Sequence, residues 1–160
     1  MTSLNYYVNN SSLSIDKKIT CKTENKQLKD LAQLDKGIAD KLPRIDFIYS
    51  KIWKKQRFSY VIEAKNLKEN DSKLKRRYIK TGIDSFVSGK YDNGSLIGYL
   101  LEGEIDDTIK GINSLLVKDK RSTETLEAKN NKICPSYYES YHTEIGVLKH
   151  VILNFTEISN

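Results

Sequence analysis

Two carboxylates and a lysine carry the most specific chemical signal in this sequence. Asp46 lies in one short apolar run, and Glu63 and Lys65 flank Ala64 in a second run further along the chain. Because side chains alternate across a strand, Glu63 and Lys65 should point to the same face of that strand, while Ile62 and Ala64 point into the core. If the first run places Asp46 opposite them, the two carboxylates can hold Mg²⁺, which prefers oxygen ligands. Lys65 can then orient or deprotonate a water for attack on phosphorus, so the pattern predicts metal-assisted hydrolysis of phosphodiester bonds.

The context of the Glu-Ala-Lys triplet decides how much it means, because 30% of the residues are charged. Residues 127–130 repeat residues 63–66 letter for letter. The first copy follows Tyr60, Val61 and Ile62, which are typical of a buried strand. The second copy lies in a polar stretch, where its charges would be solvated. We therefore assign the chemistry to the first copy alone.

The elements that must position these residues follow from hydrophobic periodicity and turn signals. Apolar residues three and four positions apart predict helices over residues 23–41, 73–88 and 104–118. Runs rich in Ile, Val, Phe and Tyr predict strands over residues 44–50, 57–67, 95–101, 133–145 and 147–157. This order predicts an α+β (mixed α/β) fold in a single domain, residues 1–160, with residues 1–16 as a loose N-terminal arm.

Residues 43–46 (Pro-Arg-Ile-Asp) and 61–65 (Val-Ile-Glu-Ala-Lys) together resemble the D…E-x-K signature of the PD-(D/E)xK nuclease superfamily, the restriction-endonuclease-like fold. Residues 77–99 are also similar to a segment of uncharacterised bacterial restriction-endonuclease-like proteins. The resemblance covers residues 22–102 and implies a central mixed sheet flanked by helices. The sequence departs from the family by leaving almost no room for a first strand between the first predicted helix and Asp46.

The resemblance also implies a set of site residues. Asp46 and Glu63 would bind Mg²⁺, with Mn²⁺ able to substitute, and the backbone carbonyl of Ala64 would be a further ligand. Lys65 would be catalytic. Many members of the family carry a further Glu on the first helix that reaches the metal site, and Glu24 is the residue that matches it. From the residues alone, Glu24 could instead be a first-turn carboxylate that interacts favourably with the helix dipole.

The charge of the chain favours a polyanionic partner. Its 27 Lys and Arg residues exceed its 21 Asp and Glu residues, which gives a net charge of +6. The basic residues expected to contact phosphates are Lys54 and Lys55, in the turn before the site strand, and Arg76, Arg77 and Lys80, on the second helix. An ordinary solvated face is the alternative for these residues. No apolar run is long enough for a membrane helix, so we expect a cytoplasmic protein without membrane contact.

The residues and the resemblance together lead to one expected function and two alternatives. We expect a Mg²⁺-dependent DNA endonuclease of bacterial restriction or phage defence, acting as a homodimer or with a partner protein of a defence system. The alternatives are a catalytically inactive nucleic-acid-binding or assembly subunit that retains the fold, and a nuclease directed at RNA. His142 and His150 could act as general bases, but their positions in predicted strands favour hydrogen-bonded structural histidines.

Overall fold

The strands and helices of the protein are seen in a computed structural model that describes residues 19–26, 44–54 and 56–156. These residues form an α+β fold with two helices and a mixed sheet of six longer strands and one two-residue strand. The chain divides into two compact units, Met1–Ile62 and Glu63–Asn160, and the boundary falls inside a strand. The α+β prediction is confirmed, and the single domain stays a prediction.

The described part of the first unit consists of antiparallel strands. β1 (Ile19–Lys26) pairs with β2 (Arg44–Trp53), and β2 pairs with the first half of β3 (Gln56–Leu67). The predicted hairpin of β2 and β3 is confirmed, but its turn is tighter than residues 51–56. β2 continues through residue 53, and Lys54 reverses the chain in the left-handed region, with φ of 47°.

The helix predicted over residues 23–41 is wrong at its start. Residues 23–26 belong to β1, which pairs with β2, and the β-branched Thr20 and Thr23 favour a strand. Glu24 therefore lies in a strand and not in a first helical turn. The remainder of that prediction, residues 27–41, and the predicted arm, residues 1–16, lie outside the described residues.

The second unit contains the other strands and both helices. The second half of β3 leads into helix α1 (residues 72–87) and then into β4 (Gly94–Leu100). The elements that follow are α2 (Ile105–Lys118), β5 (Glu127–Ala128), β6 (Tyr137–His142) and β7 (Gly146–Asn154). The strand order in this unit is β3-β4-β7-β6-β5, with β4 and β7 parallel and β6 antiparallel to both of its neighbours. The second and third predicted helices are confirmed to within one residue, whereas the two last strands are shorter than predicted.

Helix α1 changes its winding along its length. It is α-helical over Ser72–Arg77, π-helical over Tyr78–Ile83 and α-helical again over Asp84–Val87. The Asp71 carboxylate caps its N-terminus by accepting hydrogen bonds of 2.8 and 2.9 Å from two backbone N–H groups. Gly89, with φ of 72°, ends the helix.

Two glycines let α1 and the sheet approach closely. A Cβ at Gly98 in β4 would lie 2.6 Å from a methyl of Leu67 and 2.8 Å from a methyl of Ile152. A Cβ at Gly82 in α1 would lie 2.8 Å from a methyl of Leu96. These positions leave no room for a larger side chain unless the neighbours move, so α1 packs directly on the face of the sheet that carries Leu67.

Helix α2 is amphipathic. Its first turn carries Asp106 and Asp107, as the helix dipole favours, and the helix buries Ile109, Ile112 and Leu116. None of the helices within the described ranges has the length and apolar character that crossing a membrane requires.

Candidate functional site

Glu63 and Lys65 lie two residues apart on β3 with their side chains on one face, as strand alternation predicts. Both are buried, with 6% and 9% of their surface exposed, on the same face as the buried Val61 and Leu67. The prediction that Ile62 and Ala64 point into the core is therefore wrong, because these two residues are only half-buried and the Glu63 face of the strand is the more buried one. The Lys65 ammonium forms an ion pair with Oε1 of Glu63 and donates a second hydrogen bond, 3.1 Å long, to the backbone carbonyl of Ala64. The two charges therefore compensate each other, as their burial requires.

The second carboxylate oxygen of Glu63 is bound by Tyr91, a residue that no local sequence pattern connects with the site. The Tyr91 hydroxyl donates a hydrogen bond of 2.9 Å to Oε2 of Glu63. Tyr91 lies between α1 and β4 and is 1% exposed, and its ring stands edge-on to Phe86 with 5.2 Å between centroids. Glu63 and Tyr91 are 28 positions apart, and the resemblance over residues 77–99, which includes Tyr91, is the only sequence signal that points to this residue.

The oxygens around Lys65 have the chemistry of a cation site. The ammonium contacts a carboxylate oxygen of Glu63 and the carbonyl oxygen of Ala64, the two groups on β3 that the resemblance implies as metal ligands. Carboxylate and carbonyl oxygens suit a small hard cation such as Mg²⁺. In the part of the chain that the structure describes, no three His, Cys, Asp or Glu side chains are grouped so that they could hold a metal ion. The carboxylate and the carbonyl on β3 are oxygens of the kind that Mg²⁺ prefers, and a Mg²⁺ site stays a prediction.

Asp46 is the predicted source of that second carboxylate. It lies on β2, in the first unit, and is half-buried. It directly precedes Phe47, which pairs with Ile62 of β3. Its convergence with Glu63 stays a prediction.

Glu24 lies on β1 at the level of Asp46 on the neighbouring β2. Its two neighbours in β1 pair with the two neighbours of Asp46 in β2: Thr23 with Phe47, and Asn25 with Ile45. The position of Glu24 in a strand corrects the first-turn helical position predicted from the sequence. Its side chain lies outside the described part of the protein, so its role at a metal ion stays a prediction.

Four of the five basic residues expected to contact phosphates are described. Lys54 and Arg77 are exposed, whereas Lys55 lies outside the described residues. Arg76 and Lys80 each form an ion pair with an aspartate, the latter at 3.7 Å. Two cations of α1 therefore have acidic partners within the protein, and phosphate binding by this helix stays a prediction.

A second group of buried polar side chains forms a chain of hydrogen bonds in the second unit. The distances are 3.0 Å from Tyr78 Oη to His150 Nδ1, 2.8 Å from His150 Nε2 to Ser140 Oγ, 2.7 Å from Ser140 Oγ to His142 Nε2 and 2.6 Å from His142 Nδ1 to Glu124 Oε2. Both histidines are thus hydrogen-bonded members of strands, which confirms the interpretation favoured by the sequence.

This chain of hydrogen bonds has one consistent assignment of protons. Arg121 donates to both carboxylate oxygens of Glu124 and lowers the pKa of that carboxyl, so Glu124 is an acceptor. His142 then donates from Nδ1 and accepts from Ser140 at Nε2, while His150 donates to Ser140 from Nε2 and accepts at Nδ1. This assignment takes both histidines as neutral, the form that burial favours, since burial lowers the pKa of His142 and lowers the pKa of His150 to about 3. Ser140 and the two histidines are at most 2% exposed, so the network is structural and closed to a substrate.

The second Glu-Ala-Lys copy is solvent-exposed, as predicted. Glu127 and Ala128 form the two-residue β5, and Lys129 Nζ lies 2.8 Å from Oε2 of Glu127. The Glu127 and Lys129 side chains are 69% and 42% exposed, against 8% and 9% for their counterparts in the first copy. Only the first copy lies in a setting that excludes water.

Comparisons with known proteins were made at three levels. No protein-family model, no curated protein and no solved structure matches this chain. The resemblance to PD-(D/E)xK nucleases stays a prediction that rests on residues 43–46 and 61–65.

Proposed function

We propose that the protein is a metal-dependent nuclease that hydrolyses phosphodiester bonds of DNA. The observation that supports the proposal is the buried Glu63–Lys65 pair on β3, whose ammonium is held by a carboxylate and by the Ala64 carbonyl. A buried ion pair adds little stability compared with an apolar pair of similar size. A functional reason for placing these charges in the protein interior is therefore favoured.

Asp46 supplies the second carboxylate in this proposal. The resemblance of residues 43–46 and 61–65 to the nuclease motif implies this role, in which both carboxylates would bind one ion. Glu24, at the level of Asp46 on β1, would add a third carboxylate to the same row.

The chemistry divides between a metal ion and the residues of β3. Mg²⁺, or Mn²⁺ in its place, would be held by Asp46, Glu63 and the Ala64 carbonyl, and when bound it would polarise a phosphoryl oxygen and promote the deprotonation of water. The Lys65 ammonium contacts the same two groups, Glu63 and the Ala64 carbonyl, so a bound metal ion would take over these oxygens and leave N–H groups of Lys65 to donate to a phosphoryl oxygen. From there the ammonium would stabilise the negative charge that develops when the phosphorus is attacked.

The biological setting in this proposal comes from the resemblance. A restriction or phage-defence nuclease would act on DNA in the bacterial cytoplasm, as a homodimer or with a partner protein. The net charge of +6 agrees with a nucleic-acid substrate of either kind.

A plasmid-nicking assay tests the proposal. Supercoiled plasmid is incubated with the wild type, Glu63→Gln or Glu127→Gln, at a temperature at which circular dichroism shows each protein to be folded, in Mg²⁺, Mn²⁺ or EDTA. Glu127→Gln is the same substitution at the equivalent position of the exposed second copy, so it controls for the loss of one negative charge. We expect nicking only with metal, no nicking by Glu63→Gln and wild-type nicking by Glu127→Gln. Nicking in EDTA, or equal loss in both variants, would contradict the proposal, and an RNA substrate in parallel separates a DNA-directed from an RNA-directed nuclease.

The second candidate function is that of an inactive subunit that binds nucleic acid. The observation that favours it is that the Lys65 ammonium already binds the Glu63 carboxylate and the Ala64 carbonyl. These three groups are therefore stable together without a metal ion and can have a purely structural role. Such a subunit would bind DNA with the salt dependence of phosphate contacts and would not cleave it in the presence of any metal ion.

A further inference from the structure

We propose that Tyr91 is a positioning residue that holds the Glu63 carboxylate for cation binding. The inference rests on the proposed function, because it concerns the metal affinity of the same site. It assigns a role to a residue of the segment after α1, which carries none of the motif residues.

The two oxygens of Glu63 have different partners. Oε2 accepts the 2.9 Å hydrogen bond from the Tyr91 hydroxyl, and Oε1 pairs with the Lys65 ammonium. A hydroxyl is neutral, so its hydrogen bond leaves the charge of the carboxylate intact while it restricts rotation of the carboxylate group. Oε1 is thereby kept directed at a cation. Metal ligands held by such hydrogen bonds bind more tightly, because their orientation is fixed before the ion arrives.

Tyr91 is itself fixed by the end of helix α1. Its ring stands edge-on to Phe86 at an interplanar angle of 61°, and its backbone N–H donates to the carbonyl of Ser85 at 3.3 Å. Both partners belong to the last turn of α1, and Gly89 reverses the chain between that turn and Tyr91. The place of the hydroxyl is therefore set by a helix end and not by an exposed, adjustable side chain.

A purely structural hydroxyl is the alternative, since a buried tyrosine needs a hydrogen-bond partner in any case. The chain offers a matched control in Tyr78, which lies on α1, is 0% exposed and has its hydroxyl 3.0 Å from His150 Nδ1. Tyr→Phe at either position removes one buried hydroxyl and keeps the ring. Only the change at position 91 removes a hydrogen bond to Glu63.

The test is a titration of the 160-residue chain with Mn²⁺ in a calorimeter. The proteins compared are the wild type, Tyr91→Phe, Tyr78→Phe and Glu63→Gln, and urea unfolding reports the stability of each. We expect Tyr91→Phe to weaken Mn²⁺ binding by about 10- to 100-fold and Tyr78→Phe to leave it unchanged. Phe86→Leu keeps the hydroxyl but loosens the ring contact, and it should weaken Mn²⁺ binding in the same direction. In the nicking assay, Tyr91→Phe should raise the Mg²⁺ concentration for half-maximal rate, and saturating Mg²⁺ should restore the rate.

The outcomes separate this inference from the proposed function. Wild-type Mn²⁺ binding in Tyr91→Phe and Phe86→Leu, together with its loss in Glu63→Gln, would overturn the role of Tyr91 and leave the proposed metal site standing. Equal weakening in Tyr91→Phe and Tyr78→Phe would also overturn it, because the loss of any buried hydroxyl would then suffice. Unchanged Mn²⁺ binding in Glu63→Gln would instead overturn the proposed metal site.

Discussion

Removing one charge of the buried Glu63–Lys65 pair should destabilise the protein far more than removing both. The two side chains are 8% and 9% exposed, and the ammonium and the carboxylate are in direct contact. Lys65→Met leaves a buried carboxylate without its counter-ion, which costs about 3–5 kcal/mol. Glu63→Gln leaves the ammonium of Lys65 in the same position and should cost a similar amount.

The double variant Glu63→Gln/Lys65→Met has no charge left to bury. The amide oxygen of Gln remains an acceptor for the Tyr91 hydroxyl, and Met fills much of the volume of the Lys side chain. Exchanging a buried ion pair for uncharged groups of similar size is often neutral, so we expect the free energy of unfolding to stay within about 1 kcal/mol of the wild type. Because the two single losses add to about 6 kcal/mol or more, the two substitutions should be coupled by about 5 kcal/mol or more.

Urea unfolding of the four proteins, followed by circular dichroism at neutral pH, measures this coupling. The same cycle in the exposed second copy, Glu127→Gln and Lys129→Met, is the matched control, and its single changes should stay within about 0.5 kcal/mol. If the single changes at Glu63 and Lys65 cost no more than those of the control, the pair would behave as a solvated surface pair. That result would refute the burial argument on which the site depends.

Four further predictions concern the rest of the second unit. Burial lowers the pKa of His150 to about 3, so below about pH 6.5 the unfolded chain binds a proton that the folded chain does not. The free energy of unfolding should fall by up to about 1.4 kcal/mol per pH unit as the pH drops from there, and His150→Gln should flatten this slope in urea titrations. Gly98→Ala should cost about 1–3 kcal/mol in thermal melts, because its Cβ would lie 2.6 Å from a leucine methyl. Gly111→Ala in α2, where the nearest atoms are the end of a flexible lysine, should be neutral or stabilising. Arg77→Gln should reduce the log–log salt slope of DNA binding by about 1, and Arg76→Gln, whose guanidinium is already paired, should reduce it less. Equal slopes for the last two variants would contradict the assignment of Arg77.

Local patterns predict the elements that carry the candidate site. Residues 61, 63, 65 and 67 of β3 are buried and the residues between them are less so, which is the alternation that gives Glu63 and Lys65 a common face. The spacing of apolar residues likewise predicts α1 and α2 to within one residue. These features are predictable because the direction of a side chain in a strand or helix depends on the repeat of the chain itself.

Contacts between distant positions follow from the fold and not from any local pattern. Tyr91 and Glu63 are 28 positions apart, and Tyr78 and His150 are 72 positions apart. The wrong start of the first predicted helix has the same origin, because pairing with β2 makes residues 23–26 a strand despite the helical spacing of the apolar residues that follow. Tertiary pairing overrides local propensity at such a boundary.

The two Glu-Ala-Lys copies have the same sequence, but their surroundings give the two ion pairs different electrostatic properties. In each copy the lysine ammonium pairs with the glutamate two residues before it. Around Glu127 and Lys129 water screens the pair, so its contribution to stability is small, although the hydrogen bond between them lowers the pKa of Glu127 and raises that of Lys129. Around Glu63 water is excluded, each charge depends on the other, and a phosphate or cation that reached the site would meet a stronger field than at the surface. The strand residues that precede the first copy, rather than the triplet itself, therefore make it a candidate active site.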